Sequence, residues 1–183
     1  MTTNRLTIPA IIGCFALLVS VFHTSAMAQE RGNEEARVSP NASVSQTIGT
    51  TEVTITYGRP GVKDREIFGG SLVPFGEVWR TGANESTTIS FSDDVMVEGE
   101  ELAAGTYSLY TIPGEDQWTF IFNTKISWGT EYEEGQDVLR VQTEPEKAEH
   151  TEQMMFHFED VSEDSGTAVL RWDDVKVPFT IEV

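Results

Sequence analysis

Residues 105–123 read GTYSLYTIPGEDQWTFIFN. In the second half, Trp118, Phe120 and Phe122 fall on one side of an extended chain and Thr119 and Ile121 on the other, the period of two that marks a strand. The first half, Gly105–Ile112, is equally rich in aromatic and branched residues. Between them Pro113-Gly114-Glu115-Asp116 is a cluster of turn residues. The stretch therefore predicts an antiparallel hairpin, with arms at Gly105–Ile112 and Trp118–Asn123, at the centre of a hydrophobic core.

The same alternation extends in both directions. Val53, Ile55 and Tyr57 alternate with Thr54 and Thr56, and Val175, Val177, Phe179 and Ile181 with Lys176, Pro178, Thr180 and Glu182. Further strands are expected at Thr87–Phe91, Val95–Glu98, Val138–Thr143, Met154–Glu159 and Ala168–Trp172. Turn signals punctuate them at Ser92-Asp93-Asp94, Ala104-Gly105, Asp164-Ser165-Gly166 and Asp173-Asp174. Pro178, which has no N–H to donate, predicts an edge position or a bulge in the last strand. No helical periodicity persists beyond a couple of turns. The fold class is all-β: a single antiparallel β-sandwich, jelly-roll-like, of about ten strands spanning residues 41–183.

The N-terminus has a different composition. Residues 1–28 carry one charge, Arg5, then an apolar run from Ile8 to Phe22 and a small-x-small signal at Ala26-Met27-Ala28. This pattern predicts a secretory signal peptide. The apolar run is shorter than the roughly 20 residues that span a bilayer. Ile11-Ile12-Gly13-Cys14 resembles a lipobox, but cleavage there would strand Phe15–Val19 on the mature side. Residues 29–40, QERGNEEARVSP, are polar without periodicity and are expected to form a flexible leader. Localisation is accordingly expected to be periplasmic or secreted, with no membrane span after cleavage. Cys14, the one cysteine, would leave with the signal.

The chain has 30 acidic side chains against 12 Lys and Arg, a formal net charge of −18. Such a surface repels phosphate backbones and anionic lipid, which argues against nucleic acid as a partner. Arg59–Ser86, RPGVKDREIFGGSLVPFGEVWRTGANES, breaks this trend. Its first 22 residues hold four bases, Arg59, Lys63, Arg65 and Arg80, against the acids Asp64, Glu66 and Glu77. An Arg/Gly-rich loop with local positive charge inside an acidic protein is a candidate site for a small polar or anionic ligand, a saccharide included.

Within it, Arg80 can hold a carboxylate or phosphate in two parallel hydrogen bonds. Asn84 offers donor and acceptor, Glu85 can anchor a hydroxyl or orient an arginine, and Trp79 can stack on a ring. Arg59 and Arg65 form a second wall if the loop folds back onto Arg80. The competing reading makes Arg80 a structural tie that caps carbonyls or pairs with Glu77 or Glu85, and makes Arg59, Lys63 and Arg65 residues of a solvated crossover loop.

Tyr57–Pro60, Val78–Glu85 (VWRTGANE), Ala104–Pro113 (AGTYSLYTIP) and Trp128-Gly129 together resemble the bacterial exported domain-of-unknown-function family 2911. The similarity runs from about Ser39 to the C-terminus, and the WRTGANE stretch is its most specific motif. The resemblance implies a secreted or periplasmic domain and adds no chemistry.

Catalysis is left open. No G-x-S-x-G elbow is present, and the mature chain has no cysteine. Glu77 and Glu85 could serve as an acid/base pair of a carboxylate-based glycan hydrolase, the alternative function. A structural envelope protein that engages protein partners through a sheet edge is a third. No cofactor is expected. Nor is a metal site: His150 and His157 lie seven apart without cysteine, and the carboxylate clusters lack calcium-loop spacing. Trp128-Gly129 and Tyr132 read as packing residues, with an aromatic lip to a pocket as the other reading.

Overall fold

The structure is a computed structural model and describes residues 31–32 and 35–183. The expected signal peptide lies outside the described residues. Ten strands follow in order: β1 (Asn41–Ile48), β2 (Thr51–Gly58), β3 (Thr88–Phe91), β4 (Val95–Val97), β5 (Glu100–Leu102), β6 (Gly105–Ile112), β7 (Trp118–Asn123), β8 (Asp137–Thr143), β9 (Glu146–Glu159) and β10 (Ser165–Glu182). They form two antiparallel sheets, a six-stranded one in the order β1-β2-β3-β6-β7-β8 and a four-stranded one in the order β5-β4-β10-β9. The fold is an all-β sandwich. Among the described residues no helix is long and apolar enough to cross a membrane.

The β6–β7 hairpin has the expected bounds, with Leu109 opposite Phe122 and Thr111 opposite Phe120. Its inward face meets the other sheet directly: the Phe120 and Phe179 rings lie 4.6 Å apart and Phe122 and Phe179 6.2 Å. Phe120, Phe122, Trp118 and Phe179 are all essentially without solvent exposure. Each such side chain contributes about 1.5–3 kcal/mol by leaving water. Polar bonds join the two sheets as well: the Phe156 amide donates to the Tyr57 hydroxyl at 3.0 Å, and Thr143 Oγ1 on β8 to the Pro178 carbonyl on β10 at 2.6 Å. Tyr110 and Ile121, on the opposite face of the hairpin, are equally buried. Residues 124–136 cover them, fastened by Ser108 Oγ donating to the Lys125 carbonyl and Ser86 Oγ to the Ser127 carbonyl, both at 2.8 Å.

Several strands differ from expectation. β1 is mostly polar, with Ala42, Val44 and Ile48 its only inward apolar side chains. It is held by full pairing with β2 and by hydroxyl contacts of Ser43 with Thr56 (3.1 Å) and Ser45 with Thr54 (2.6 Å). Asp173-Asp174 is not a turn: β10 runs through it, with register shifts on either side of Asp173, whose φ is +55°. The strand absorbs an acidic pair as a bulge. Pro178 is not on an edge strand, since β10 lies between β4 and β9. It sits after the last β9 partner, Lys176, and before the first β4 partner, Ile181, where a missing N–H costs no ladder bond.

The Arg/Gly-rich insertion lies between β2 and β3 and closes one end of the sandwich. Val62, Ile67 and Val73 anchor it in the core. Phe68 packs edge-on to Trp79, Trp118 and Trp172, with ring centroids 5.2–6.2 Å apart. Before returning to β3, it pairs with the sheet as Trp79 and Thr111 exchange amide–carbonyl bonds of 2.7 and 2.9 Å.

Candidate functional site

Where the insertion meets the N-terminal segment and the 124–136 cover, the surface opens into a cavity of about 620 Å³. Four pieces of chain build its walls.

The first wall is the turn after β2. Val62 donates to the Glu152 carbonyl (2.8 Å) and Met154 to the Pro60 carbonyl (3.0 Å), so residues 60–62 are clamped to β9. Lys63 and Asp64 then take left-handed φ angles of 51° and 53°. Arg65 curls back over this turn, its Nε donating to the Val62 carbonyl (3.0 Å) and its Nη2 to that of Gly61 (2.6 Å). Lys63 and Arg65 are exposed and line the cavity.

The second wall is Trp79–Ala83. Trp79 stacks on Trp172 with centroids 5.7 Å apart and planes 14° apart. Thr81 is buried at φ 54°, tied by its hydroxyl to that of Thr111 (3.1 Å) and through its carbonyl to Thr87 Oγ1 (2.8 Å). This forces Arg80 outward. Its Nε donates to the Gly82 carbonyl (3.2 Å), which leaves both terminal nitrogens without a partner among the described residues. Gly129 lies against it: a Cβ at that position would sit 2.7 Å from Arg80 Cδ.

The third wall is aromatic. Tyr110 projects from β6 and meets Tyr132 edge-on, with ring centroids 5.0 Å apart. The Tyr132 hydroxyl donates to Asp137 Oδ2 and accepts from Arg140 Nη2, both at 2.7 Å. Burial first, and then the bond to Asp137, push its pKa up to about 12, so the phenol is neutral at physiological pH.

The fourth wall, Val38 and Ser39, belongs to the segment expected to be a flexible leader. Asn84 Nδ2 donates to the Ser39 carbonyl at 3.1 Å. Arg37 donates to both oxygens of Glu85, at 2.7 and 3.0 Å. Arg31 donates to the carbonyls of Ser86 and Thr56. The Arg37 bonds hold the Glu85 pKa below the ordinary carboxylate range, against the opposing effect of burial.

Three of the six residues singled out in sequence therefore meet at the cavity: Arg65, Trp79 and Arg80. The other three do not line it. Arg59 ties the insertion to the second sheet, its Nε donating to the Met154 carbonyl at 2.9 Å. Asn84, at φ 66°, and Glu85, 5 % exposed, hold the N-terminal segment. Arg80 pairs with neither Glu77 nor Glu85, since Glu85 is already taken by Arg37. Of the two readings of Arg80, carbonyl capping is present, through one nitrogen of three. Lys63 joins the lining, and so do Gly129 and Tyr132, while Trp128 beside them does not. Sequence reading missed Tyr110, Trp172 and Val38, which only the folded chain brings here.

The electrostatics of the lining are lopsided. Lys63, Arg65 and Arg80 supply three positive charges, and no Asp or Glu is among the lining residues, although the chain has 30 of them. None of the three cations takes part in an ion pair among the described residues, whereas Arg37, Lys125, Arg140 and Lys176 all do. Unanswered positive charge in a concave, partly apolar setting attracts an anion and holds it more firmly than open water would allow.

Elsewhere, the β10 bulge brings Asp173 and Asp174 to His150, whose Nδ1 lies 3.2 and 3.6 Å from their carboxylates. All three are partly or fully exposed and form a polar cluster on the β9 edge.

A family model described as a protein of unknown function (DUF2911) matches residues 39–181. No curated protein and no solved structure matches the chain.

Proposed function

We propose that this chain, which belongs to the DUF2911 family, binds a small anionic ligand in the cavity between its insertion and its N-terminal segment. The observation that carries the reading is the lining itself: three cations free of ion pairs among the described residues, with no carboxylate beside them in the lining, in an acidic protein. Arg80 is the pivotal group. Its two unpartnered terminal nitrogens suit the two oxygens of a carboxylate or phosphate. Arg65 and Lys63 supply charge from the turn at the start of the same insertion, and Trp79 supplies an apolar surface. The cavity volume falls within the roughly 300–1,000 Å³ typical of small-molecule sites.

The same lining argues against the alternatives. Paired-carboxylate hydrolysis needs two acids facing the substrate, and neither Glu77 nor Glu85 lines the cavity. Glu85 is committed to Arg37. A neutral saccharide would rely on carboxylate and amide side chains to bracket its hydroxyls, and Asp, Glu, Asn and Gln are all missing from the lining. The signal-peptide features of residues 1–28 support an exported, periplasmic or secreted, location.

The test is thermal melting of the protein and its Arg80→Ala variant with inorganic phosphate, acetate or glucose. Phosphate or acetate is expected to raise the wild-type midpoint and leave that of the folded variant unmoved. Equal shifts in both proteins, or a shift with glucose alone, would refute the assignment.

A further inference from the structure

Resting on the reading that the cavity holds an anion, we infer that its ligand is an amphiphilic organic acid, a carboxylate or phosphate head joined to a compact apolar body. The charged groups occupy only part of the wall. Val38, Leu72 and Val78 are 80 %, 42 % and 39 % exposed, and all three line the cavity beside the half-buried Trp79. Large apolar side chains left open to water around one concavity mark a surface that gains by being covered. An inorganic anion would answer the cations and leave these side chains wet. An uncharged apolar molecule would cover them and leave Lys63, Arg65 and Arg80 unanswered.

Trp172, another lining residue and 1 % exposed, stacks with Trp79 beneath this apolar surface. Size agrees as well: about 620 Å³ is far more than a phosphate or acetate fills, and suits a ring-sized body attached to the head.

Phenylacetate, acetate and phenylacetamide separate the two halves of this ligand, and each is titrated calorimetrically into the full chain, its Arg80→Ala variant and its Leu72→Ser variant. Melting first establishes that both variants fold. Phenylacetate is expected to bind wild type at least about tenfold more tightly than either acetate or phenylacetamide, a factor in keeping with burying a few carbons or pairing one charge. Arg80→Ala should abolish the advantage over phenylacetamide, and Leu72→Ser should narrow the advantage over acetate. Equal affinity for acetate and phenylacetate overturns the apolar body and leaves the anion site standing. Phenylacetamide binding as tightly as phenylacetate overturns both. If phenylacetate fails to bind while inorganic phosphate still raises the wild-type midpoint, this inference alone falls.

Discussion

Arg37 donates to both carboxylate oxygens of Glu85, at 2.7 and 3.0 Å, joining residues 48 apart in the chain. The bond fixes a polar N-terminal segment against the WRTGANE turn, and that segment carries Val38 and Ser39 into the cavity wall. Two of the most distinctive residues of the turn, Asn84 and Glu85, thus shape the site by holding its fourth wall.

Glu85→Gln should make this visible through pH. The folded-state pKa of Glu85 lies below its unfolded value, chiefly because of Arg37. Its stabilisation is therefore fully present above the unfolded pKa of about 4.3 and is lost as pH falls through the folded value. The melting midpoint of Glu85→Gln should lie below that of wild type at neutral pH, and the gap should close in acid. A gap that stays constant with pH would mean that the carboxylate charge contributes nothing here.

Gly129→Ala tests how Arg80 is aimed. The added Cβ would fall 2.7 Å from Arg80 Cδ and 3.1 Å from the Asn84 carbonyl oxygen. The carbonyl belongs to a tied turn, so Arg80 has to yield. A loss of about 1–3 kcal/mol in denaturant unfolding is expected, together with weaker anion binding. Gly58→Ala should be worse, since its Cβ would fall on the Ala83 backbone carbonyl, which has no side-chain freedom to move aside.

Tyr132→Phe removes a hydroxyl that both donates to Asp137 and accepts from Arg140. The expected cost is about 1 kcal/mol. Because the folded pKa is raised to about 12, the wild type should lose stability as pH rises from about 10, the unfolded value, toward 12. Ultraviolet titration should show a phenol ionising near the top of that window in wild type and not in Tyr132→Phe.

The parts of this architecture that were legible in sequence are those with a one-sided apolar alternation. Trp118, Phe120 and Phe122 fixed β7, and with β6 the central hairpin of the core. β1 gave no such signal, because Ser43, Ser45 and Thr47 face water and its stability comes from pairing with β2. The first half of β9, EKAEHTEQ, was illegible for a related reason: it is a charged edge, a pattern that also marks loops. Asp173-Asp174 reads as a turn because a bulge and a turn demand the same permissive residues.

At the site, contrast of charge found Arg65 and Arg80, and the adjacency of Trp79 found the third residue. The same contrast could not assign Glu85, since a carboxylate beside an arginine-rich loop looks alike whether it meets a ligand or a distant Arg37. Tyr110 and Tyr132 belong to separate segments with no local mark. Only the sheet and the cover over it bring them together.

Anomalous diffraction from crystals of the full chain soaked in selenate locates a bound oxyanion without presupposing any natural ligand. A peak within hydrogen-bond reach of the Arg80 terminal nitrogens, on the side of the cavity shared with Arg65 and Lys63, is the predicted result. An empty cavity, with selenate seated only on other surface cations such as Arg140 or Lys176, would contradict the assignment of this cavity as the anion site.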